Sequence, residues 1–303
     1  MIYDVLIIGS GPAGMTAAIY AKRANLNVMM FEKGAPGGQI VNTFEVENYP
    51  GFKKLSGYEL ATNMFEHVLE LGVPVTFEEV KNVIDLGKIK EVHTENGIYQ
   101  TKTVLIATGV VPRSLGVPNE DKFQANGISW CAICDGPLYK DKKVIVVGGG
   151  NSAVEESLFL TNIATHITVV QNLDHLTADP KAVELLKQAK NVDIIYNAEV
   201  KEFLGDAQLE GARIQTKEGF KDIQADGVFE YIGLVPITTF VSDLNITNSM
   251  GYVEVSDTFE TKVPGIFSAG DCNVKKIRQI VTAVSDGAIA TQNIIKYLEN
   301  QHE

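Results

Sequence analysis

The chain has 303 residues, enough for two domains of ordinary size. Its formal net charge of −12 and its lack of basic runs argue against nucleic acid or an anionic membrane surface as a partner. Its 3 cysteines are too few for a disulfide framework. The sequence shows no apolar run of about 18 residues and no signal-peptide pattern, so we expect a cytoplasmic protein without a membrane span.

The chain opens with a glycine motif between two predicted strands. An apolar run at 5–8 predicts a buried strand, residues 9–14 are GSGPAG, and residues 15–24 favour a helix. A second apolar run at 28–31 ends at Glu32. Together these elements form a βαβ unit of about 30 residues.

This motif has the residues that a dinucleotide needs. Gly9 permits a tight turn, Gly11 lets the backbone approach a pyrophosphate, and Gly14 lets the helix pack closely on the strand. Glu32 stands where a carboxylate accepts hydrogen bonds from a ribose. The candidate cofactor-binding residues of this unit are Gly9, Gly11, Pro12, Ala13, Gly14 and Glu32.

A CxxC pair, Cys131 and Cys134, lies in the middle of the chain and is followed by Asp135. A structural zinc site needs about four ligands, but the remaining cysteine, Cys272, is far away and the histidines are scattered. We therefore predict reversible disulfide chemistry, with Asp135 as a proton donor or acceptor. The alternatives are two buried structural thiols and a turn aspartate, and we expect Cys272 to be a small buried residue.

The opening design returns after the CxxC pair. A predicted strand at 144–147, the motif GGGNSA at 148–153, a helix and a strand at 167–170 repeat the first unit, and Gly148 follows Gly9 by 139 residues. So long a period indicates a duplicated domain and not a solenoid.

The remaining elements predict how the two copies are connected. A strand at 103–107, a turn-rich candidate hinge at 112–118, a late strand end at 265–271 and a helix at 280–298 suggest that one copy interrupts the other. We predict an α/β fold of two Rossmann-like, three-layer dinucleotide-binding domains, the second inserted in the first. The predicted domains are residues 1–115 with 244–303, and residues 116–243.

Taken together, the motifs resemble the low-molecular-weight thioredoxin reductases over nearly the whole chain. Besides the glycine motifs and the CxxC pair, the matching segments are 37–39, 47–51, 107–109, 269–271 and 278–279. The resemblance implies a homodimeric enzyme with FAD in the first domain and a redox disulfide in the inserted one. It also implies that FAD contacts Gln39, Asn48, Thr108, Gly109, Asp271, Arg278, Gln279 and Ile280.

The same resemblance implies the route of the electrons. In this family they pass from a donor to FAD, then to the disulfide, and then to thioredoxin. By analogy, Cys134 faces the flavin and Cys131 attacks thioredoxin. The inserted domain must swing between the two partners, which would make 112–118 a hinge.

The second glycine motif departs from the NADPH-dependent relatives. Those proteins follow the second strand with a His-Arg-Arg stretch that grips the 2′-phosphate, whereas residues 171–179 (QNLDHLTAD) contain no arginine or lysine. Gln171 follows Glu32 by 139 residues, so NADH also lacks its carboxylate partner. The sequence thus resembles the ferredoxin-dependent flavin thioredoxin reductases that lack NADPH-binding motifs.

We therefore predict reduced ferredoxin as the donor. Lys275 and Lys276 lie beside Asp271 and could steer an acidic partner to the flavin, although they could also be a solvated loop. The alternative is an NADH-dependent, or weakly NADPH-dependent, reductase of thioredoxin or a peroxiredoxin-type substrate. It rests on a similarity to the NADH-using flavoprotein subunit of alkyl hydroperoxide reductase. A non-enzymatic redox-sensing flavoprotein is a third hypothesis, which the retained CxxC and Asp135 disfavour.

Overall fold

A computed structural model describes residues 1–43, 46–124 and 126–301. The strands are β1 (Ile2–Ile8), β2 (Val28–Phe31), β3 (Val75–Thr76), β4 (Val80–Asp85), β5 (Lys90–Thr94), β6 (Ile98–Ile106), β7 (Val110–Pro112), β8 (Ile128–Ser129), β9 (Lys143–Val147), β10 (His166–Val170), β11 (Val192–Ile195), β12 (Glu199–Leu204), β13 (Gly211–Thr216), β14 (Gly219–Gln224), β15 (Gly227–Glu230), β16 (Leu234–Pro236) and β17 (Ile266–Ser268). The α-helices are α1 (Pro12–Arg23), α2 (Gly57–Glu70), α3 (Glu120–Phe123), α4 (Ala132–Asp135), α5 (Asn151–Leu160), α6 (Pro180–Gln188) and α7 (Ile280–Asn300). Short 3₁₀ helices span Gly38–Asn42, Gly136–Tyr139 and Thr239–Leu244.

The chain forms two units, and the second interrupts the first. The first unit comprises Met1–Asn42, Val46–Val111 and the chain from Val235 onward, and the second comprises Pro112–Leu234. The sequence placed these divisions at 116 and 244. The short strands β7 and β16, at which the chain leaves and re-enters the first unit, pair with each other.

The first unit is built on a sheet of order β3-β2-β1-β6-β5-β4, with β17 also paired to β6. The strands β1, β2, β3, β6 and β17 run parallel, whereas β4 and β5 form an antiparallel extension. Their continuous apolar runs are typical of parallel strands that are covered on both faces. One face of the sheet packs on α1 and α7, and the other packs on a layer that includes Val241 and Val253.

The second unit repeats this plan with a parallel sheet of order β11-β10-β9-β15-β8. Helices α5 and α6 cover one face, where Val154, Leu160 and Leu186 are buried. The antiparallel sheet β12-β13-β14 covers the other face with Phe203 and Ile214. The predicted α/β fold of two Rossmann-like domains is therefore confirmed. Among the described residues, no helix combines the length and apolar character that crossing a bilayer requires.

Close packing of α1 on α7 fixes the first glycine motif. Gly287 of α7 lies against the backbone of α1, where a Cβ atom would clash with the carbonyl oxygen of Ala13. Thr291 adds a hydrogen bond from its Oγ1 to the Ala17 carbonyl, at 3.4 Å. Because Ala13 belongs to the glycine motif, the position of α7 determines the position of the predicted cofactor site.

We predict that Gly287→Ala destabilises the first unit by about 1–3 kcal/mol, since overpacking forces the two helices apart. Thermal unfolding and the equilibrium retention of FAD both measure this effect, and both decrease if the contact matters. Gly97→Ala is the matched control, because an added Cβ there meets no heavy atom within 4 Å. Equal stability of the two variants would contradict the prediction.

Candidate active site

Residues of the predicted cofactor site follow the carboxyl ends of four strands in the first unit. Ile8 pairs with Phe31 on β2 and with Ile106 on β6, and Ile106 pairs with Ser268 on β17. Because parallel strands that end in register share one sheet edge, the residues after them meet there. That edge carries the glycine motif, Glu32, Thr108, Gly109 and Asp271.

The three glycines of the first motif differ in what surrounds them. Gly9 has φ +106°, and a Cβ there would lie 2.5 Å from the Ala107 carbonyl oxygen. A Cβ on Gly14 would clash with the Gly9 carbonyl oxygen, whereas one on Gly11 would meet nothing within 4 Å. The protein's own packing therefore requires Gly9 and Gly14. Gly11 instead leaves open space over the start of α1, where a ligand can approach the backbone.

The Glu32 carboxylate is held in place by hydrogen bonds from the glycine turn and the following loop. It accepts from the backbone N of Ser10 (3.0 Å), from the Ser10 hydroxyl (2.6 Å) and from the backbone N of Gly34 (2.8 Å). Gly37 N donates to the Ser10 carbonyl at 2.9 Å, so this loop returns to the glycine turn. The carboxylate is therefore fixed beside the space that Gly11 leaves open.

Asp271 has a buried acceptor atom that the described protein does not satisfy. Its Oδ1 receives no hydrogen bond from the described residues, and the nearest cation, Lys275 Nζ, is 4.0 Å away. Burial raises the pKa of this carboxyl group, and Lys275 opposes that effect. A buried acceptor of this kind can accept a hydrogen bond from a hydroxyl group of a bound cofactor.

Among the other predicted cofactor residues, Asn48 and Gln279 contact each other, whereas Gln39 and Thr108 take no part in that contact. Asn48 Nδ2 donates to Gln279 Oε1 at 3.0 Å, and Ile280 begins α7 directly after Gln279. Gln39 is exposed on the 3₁₀ helix that follows Gly37. Thr108 uses its hydroxyl within the protein, donating to the Ile237 carbonyl at 2.6 Å.

Arg278 is bonded within its own loop and Lys275 pairs with a carboxylate of α7, which corrects the expectation of a basic docking patch. The Arg278 guanidinium donates to the carbonyl oxygens of Asp271, Asn273 and Lys275, each at 3.2 Å, and lies over the Tyr252 ring. Lys275 is 15% exposed. Its Nζ lies 2.6 Å from Asp286 Oδ2. Burial and pairing thus reduce the patch, and Lys276 remains its exposed cation.

The second unit positions the two cysteines on the one-turn helix α4. Strand β8 pairs in parallel with β15, and the chain turns after it so that Cys131 occupies the N-cap of α4. Cys131 and Cys134 form a disulfide with a Cα–Cα distance of 5.2 Å. Both residues are half-buried, and the backbone N of Cys134 donates to Cys131 Sγ at 3.2 Å.

Ser129 links Asp135 to the cysteine pair. Its hydroxyl accepts from Cys131 N at 3.1 Å and donates to Asp135 Oδ2 at 2.6 Å. The carboxyl group of Asp135 is therefore oriented from the start of the CxxC segment. This arrangement fixes the carboxylate of the residue that directly follows Cys134.

Two residues outside the CxxC motif accept hydrogen bonds from the first two amides of α4. Ala132 N donates to the Tyr231 hydroxyl at 2.7 Å, and Ile133 N donates to Glu156 Oε2 at 3.1 Å. The Tyr231 hydroxyl in turn donates to Glu156 at 3.3 Å. Burial raises the pKa of Glu156, and the hydrogen bonds from Ile133 N and the Tyr231 hydroxyl oppose that effect.

The sequence did not reveal Ser129, Tyr231 and Glu156 as site residues. Ser129 lies two residues before Cys131, so its proximity alone could have suggested it. Tyr231 follows β15, and only the pairing of β15 with β8 brings it to α4.

The second glycine turn keeps its backbone, but Gln171 replaces the acidic residue of the first. Gln171 is 4% exposed. Its Nε2 donates to the His175 carbonyl at 3.0 Å, and its Oε1 accepts from Asn172 N at 3.1 Å. Its amide lies directly over Gly149, where a Cβ would clash with it. Gln171 is therefore bonded within its own loop, and Asn172, Leu173, Asp174 and His175 are exposed without a cationic clamp.

Two dinucleotide folds, the second of which contains a disulfide, are typical of a disulfide oxidoreductase. The chain matches the family described as pyridine nucleotide-disulphide oxidoreductase over residues 3–287 and belongs to it. It is a flavin-dependent disulfide oxidoreductase whose cofactor is FAD. The open space at Gly11 and the unsatisfied Asp271 oxygen fit that cofactor.

Individual relatives are thioredoxin reductases. The chain is 44% identical to the thioredoxin reductase of Bacillus subtilis, covering 100% of this chain and 96% of the relative. The structure of thioredoxin reductase from Streptococcus pyogenes is 46% identical, with a TM-score of 0.90 and 99% of each chain covered. A ferredoxin-flavin thioredoxin reductase from Clostridium acetobutylicum is 26% identical, with a TM-score of 0.56 and coverage of 100% of this chain and 99% of that one.

We predict that Tyr231→Phe destabilises the second unit by about 1–3 kcal/mol, because it leaves Ala132 N without its acceptor and leaves Glu156 with Ile133 N but without the tyrosine hydroxyl as a donor. The measurement is the midpoint of chemical unfolding, followed with the disulfide intact. Tyr139→Phe is the matched control, since its ring packs on Phe229 and its hydroxyl makes no hydrogen bond to the described residues. The same loss in both variants would contradict a specific role for Tyr231.

Proposed function

We propose that this protein is an FAD-dependent thioredoxin-disulfide reductase in which the Cys131–Cys134 pair delivers electrons to the disulfide of thioredoxin. The observation that carries the proposal is a disulfide on a one-turn helix in a chain whose full-length relatives are thioredoxin reductases. We also propose that the enzyme is a cytoplasmic homodimer, as its family resemblance implies.

In this proposal the first unit binds FAD. The glycine motif and Glu32 hold the dinucleotide, and the Asp271 carboxylate accepts a hydrogen bond from the cofactor. Gln39, Asn48, Gly109 and Gln279 line the rest of the site. FAD supplies the two-electron chemistry that connects the donor to the disulfide.

Cys131 is the thiol that attacks thioredoxin. Its sulfur accepts a hydrogen bond from Cys134 N at 3.2 Å, and a backbone amide stabilises a thiolate more than a thiol. Cys134 is then the thiol on the flavin side. Asp135, oriented by Ser129, exchanges the proton of that thiol as the disulfide opens and closes.

The electron donor that we propose is reduced ferredoxin. The support comes from Gln171, which is buried and bonded within its own loop, and from a following loop without arginine or lysine. Both NADPH and NADH thus lose their usual recognition groups. Lys276 is the exposed cation that could aid the approach of an acidic donor, since Lys275 is paired with Asp286.

One observation favours a second candidate, an NADH-dependent disulfide reductase. The second glycine turn keeps a positive φ at Gly148, of +123°, and its loop returns as the first one does, with Thr177 N donating to the Gly149 carbonyl at 2.7 Å. The backbone needed to approach a pyrophosphate is therefore retained at this position. NADH, which has no 2′-phosphate, needs no arginine clamp.

Anaerobic bleaching of the flavin distinguishes these donors. We predict that reduced ferredoxin bleaches the flavin at least about tenfold faster than NADPH or NADH, because a missing charged hydrogen-bond partner costs about 1.5–3 kcal/mol. Gln171→Glu restores a carboxylate for the NADH ribose and should raise the NADH rate only. Rapid bleaching of the unchanged protein by NADPH would overturn the ferredoxin proposal, and rapid bleaching by NADH would establish the second candidate.

The proposed roles of the two cysteines predict that their serine variants react with an alkylating agent at different rates. Cys134→Ser leaves Cys131 with its amide donor, so iodoacetamide should alkylate it roughly tenfold faster at pH 7 than it alkylates Cys134 in Cys131→Ser. The buried Cys272 is common to both variants and sets the same background. Neither variant should reduce thioredoxin, while flavin bleaching by the donor persists in both. Continued thioredoxin turnover would rule out the pair as the relay.

A further inference from the structure

Two buried carboxyl groups lie in the second unit, outside the site described above. Glu230 ends β15 and Glu120 begins α3, and each is 2% exposed. Carboxyl groups are rarely buried to this degree unless a partner compensates them. Their hydrogen-bond partners lie in the 115–117 turn and at Trp130, which directly precedes Cys131.

Glu120 is bound by the backbone of the turn at the beginning of the second unit. Its carboxylate accepts from Leu115 N at 3.0 Å, from Gly116 N at 2.7 Å and from Val117 N at 3.3 Å. These three amide donors occupy both carboxylate oxygens of Glu120. Glu120 is therefore bound to the 115–117 turn and fixes it.

Glu230 is bound to Trp130, which directly precedes Cys131. Trp130 Nε1 donates to Glu230 Oε2 at 3.1 Å. Glu230 Oε1 is buried and receives no hydrogen bond from a donor group of the described residues, and the side chain that Glu230 faces is Glu120. Two carboxyl groups in such contact need a proton between them. Because amide donors already occupy both oxygens of Glu120 whereas Glu230 Oε1 has none, the proton belongs to Glu230.

The electrostatic surroundings support the same assignment. Burial, followed by the charge of Glu120, raises the pKa of Glu230 to about 8. Trp130 is the other side chain that acts on Glu230, and it lowers the pKa. Glu156 and Asp135, on the side of α4, act on Tyr231. Among the described residues, Glu120 is thus the charged group to which Glu230 responds.

We propose that Glu230 is a positioning residue for the dithiol: its carboxylic acid proton joins it to Glu120, and the pair ties Trp130, and with it the peptide that carries Cys131, to the 115–117 turn. Loss of this proton places two negative charges together in a buried site, where they repel each other. The hold on Trp130 and on the turn then weakens. The consequence for turnover rests on the proposed function of Cys131, but the proton and the contacts do not.

Trp130 allows a direct test, because it is the single tryptophan of the sequence and tryptophan fluorescence therefore reports on this position. Its fluorescence, recorded on the oxidised, FAD-bound protein from pH 6 to 10, should show a transition with a midpoint near 8. Glu230→Gln should abolish the transition, since its amide nitrogen donates to Glu120 and its oxygen accepts from Trp130. Glu120→Gln removes the neighbouring charge and should move the midpoint to lower pH. Glu184→Gln, an exposed acid on α6, should leave the midpoint unchanged.

Hydrogen exchange tests the positioning itself, and like the fluorescence it requires no thioredoxin. After correction for the intrinsic exchange rate, peptides that cover 113–123 and 127–136 should lose protection between pH 7 and 9 in the unchanged protein but keep it in Glu230→Gln. A flat fluorescence profile in the unchanged protein would overturn the shared proton. A fluorescence transition without loss of protection would overturn the positioning role. Both results are independent of whether the protein reduces thioredoxin.

Discussion

Parallel strands that end in register determine where chemistry can occur in both units. In the second unit, β15 pairs with β9 on one side and with β8 on the other. The glycine turn follows β9, the cysteine pair follows β8, and Tyr231 follows β15. One sheet edge therefore carries all three, as the corresponding edge of the first unit carries Glu32 and Asp271. Tyr231 and Glu32 depend on this alignment, because each is hydrogen-bonded to a residue that follows another strand, Tyr231 to Ala132 and Glu32 to Ser10.

The two units share the backbone of a nucleotide-binding turn but differ in the side chain that stands beside it. Both loops return to their glycine turn through the same backbone bond, from Gly37 N to the Ser10 carbonyl in one unit and from Thr177 N to the Gly149 carbonyl in the other. The side chain beside that bond differs. Glu32 is a half-buried carboxylate, whereas the amide of Gln171 is buried and satisfied by its own loop. The second unit thus retains the backbone of a nucleotide-binding turn, whereas the carboxylate beside the first turn is replaced by an amide that is bonded within its own loop.

The sequence predicted the features that depend on neighbouring residues. Apolar runs indicated the strands β1, β2, β9 and β10 and the closing helix α7, since a buried parallel strand has a continuous apolar run. It did not predict contacts that depend on the sheet order. Tyr231 meets Ala132 across 99 positions of sequence. The basic patch was overestimated for a related reason, because the burial of Lys275 against Asp286 depends on how α7 packs.

Hydrogen bonds, and not apolar packing alone, hold the helix α4 that carries the cysteine pair. Helix α4 has a single turn, so its first amides have no partners within the helix. Tyr231 and Glu156 bind those amides through side chains that are not part of the disulfide. These hydrogen bonds do not involve the sulfur–sulfur bond, so they can persist when that bond opens. Burying a carboxyl group such as Glu156 carries a desolvation cost, and in return the first amides of α4 are bound by groups that the opening of the crosslink does not remove.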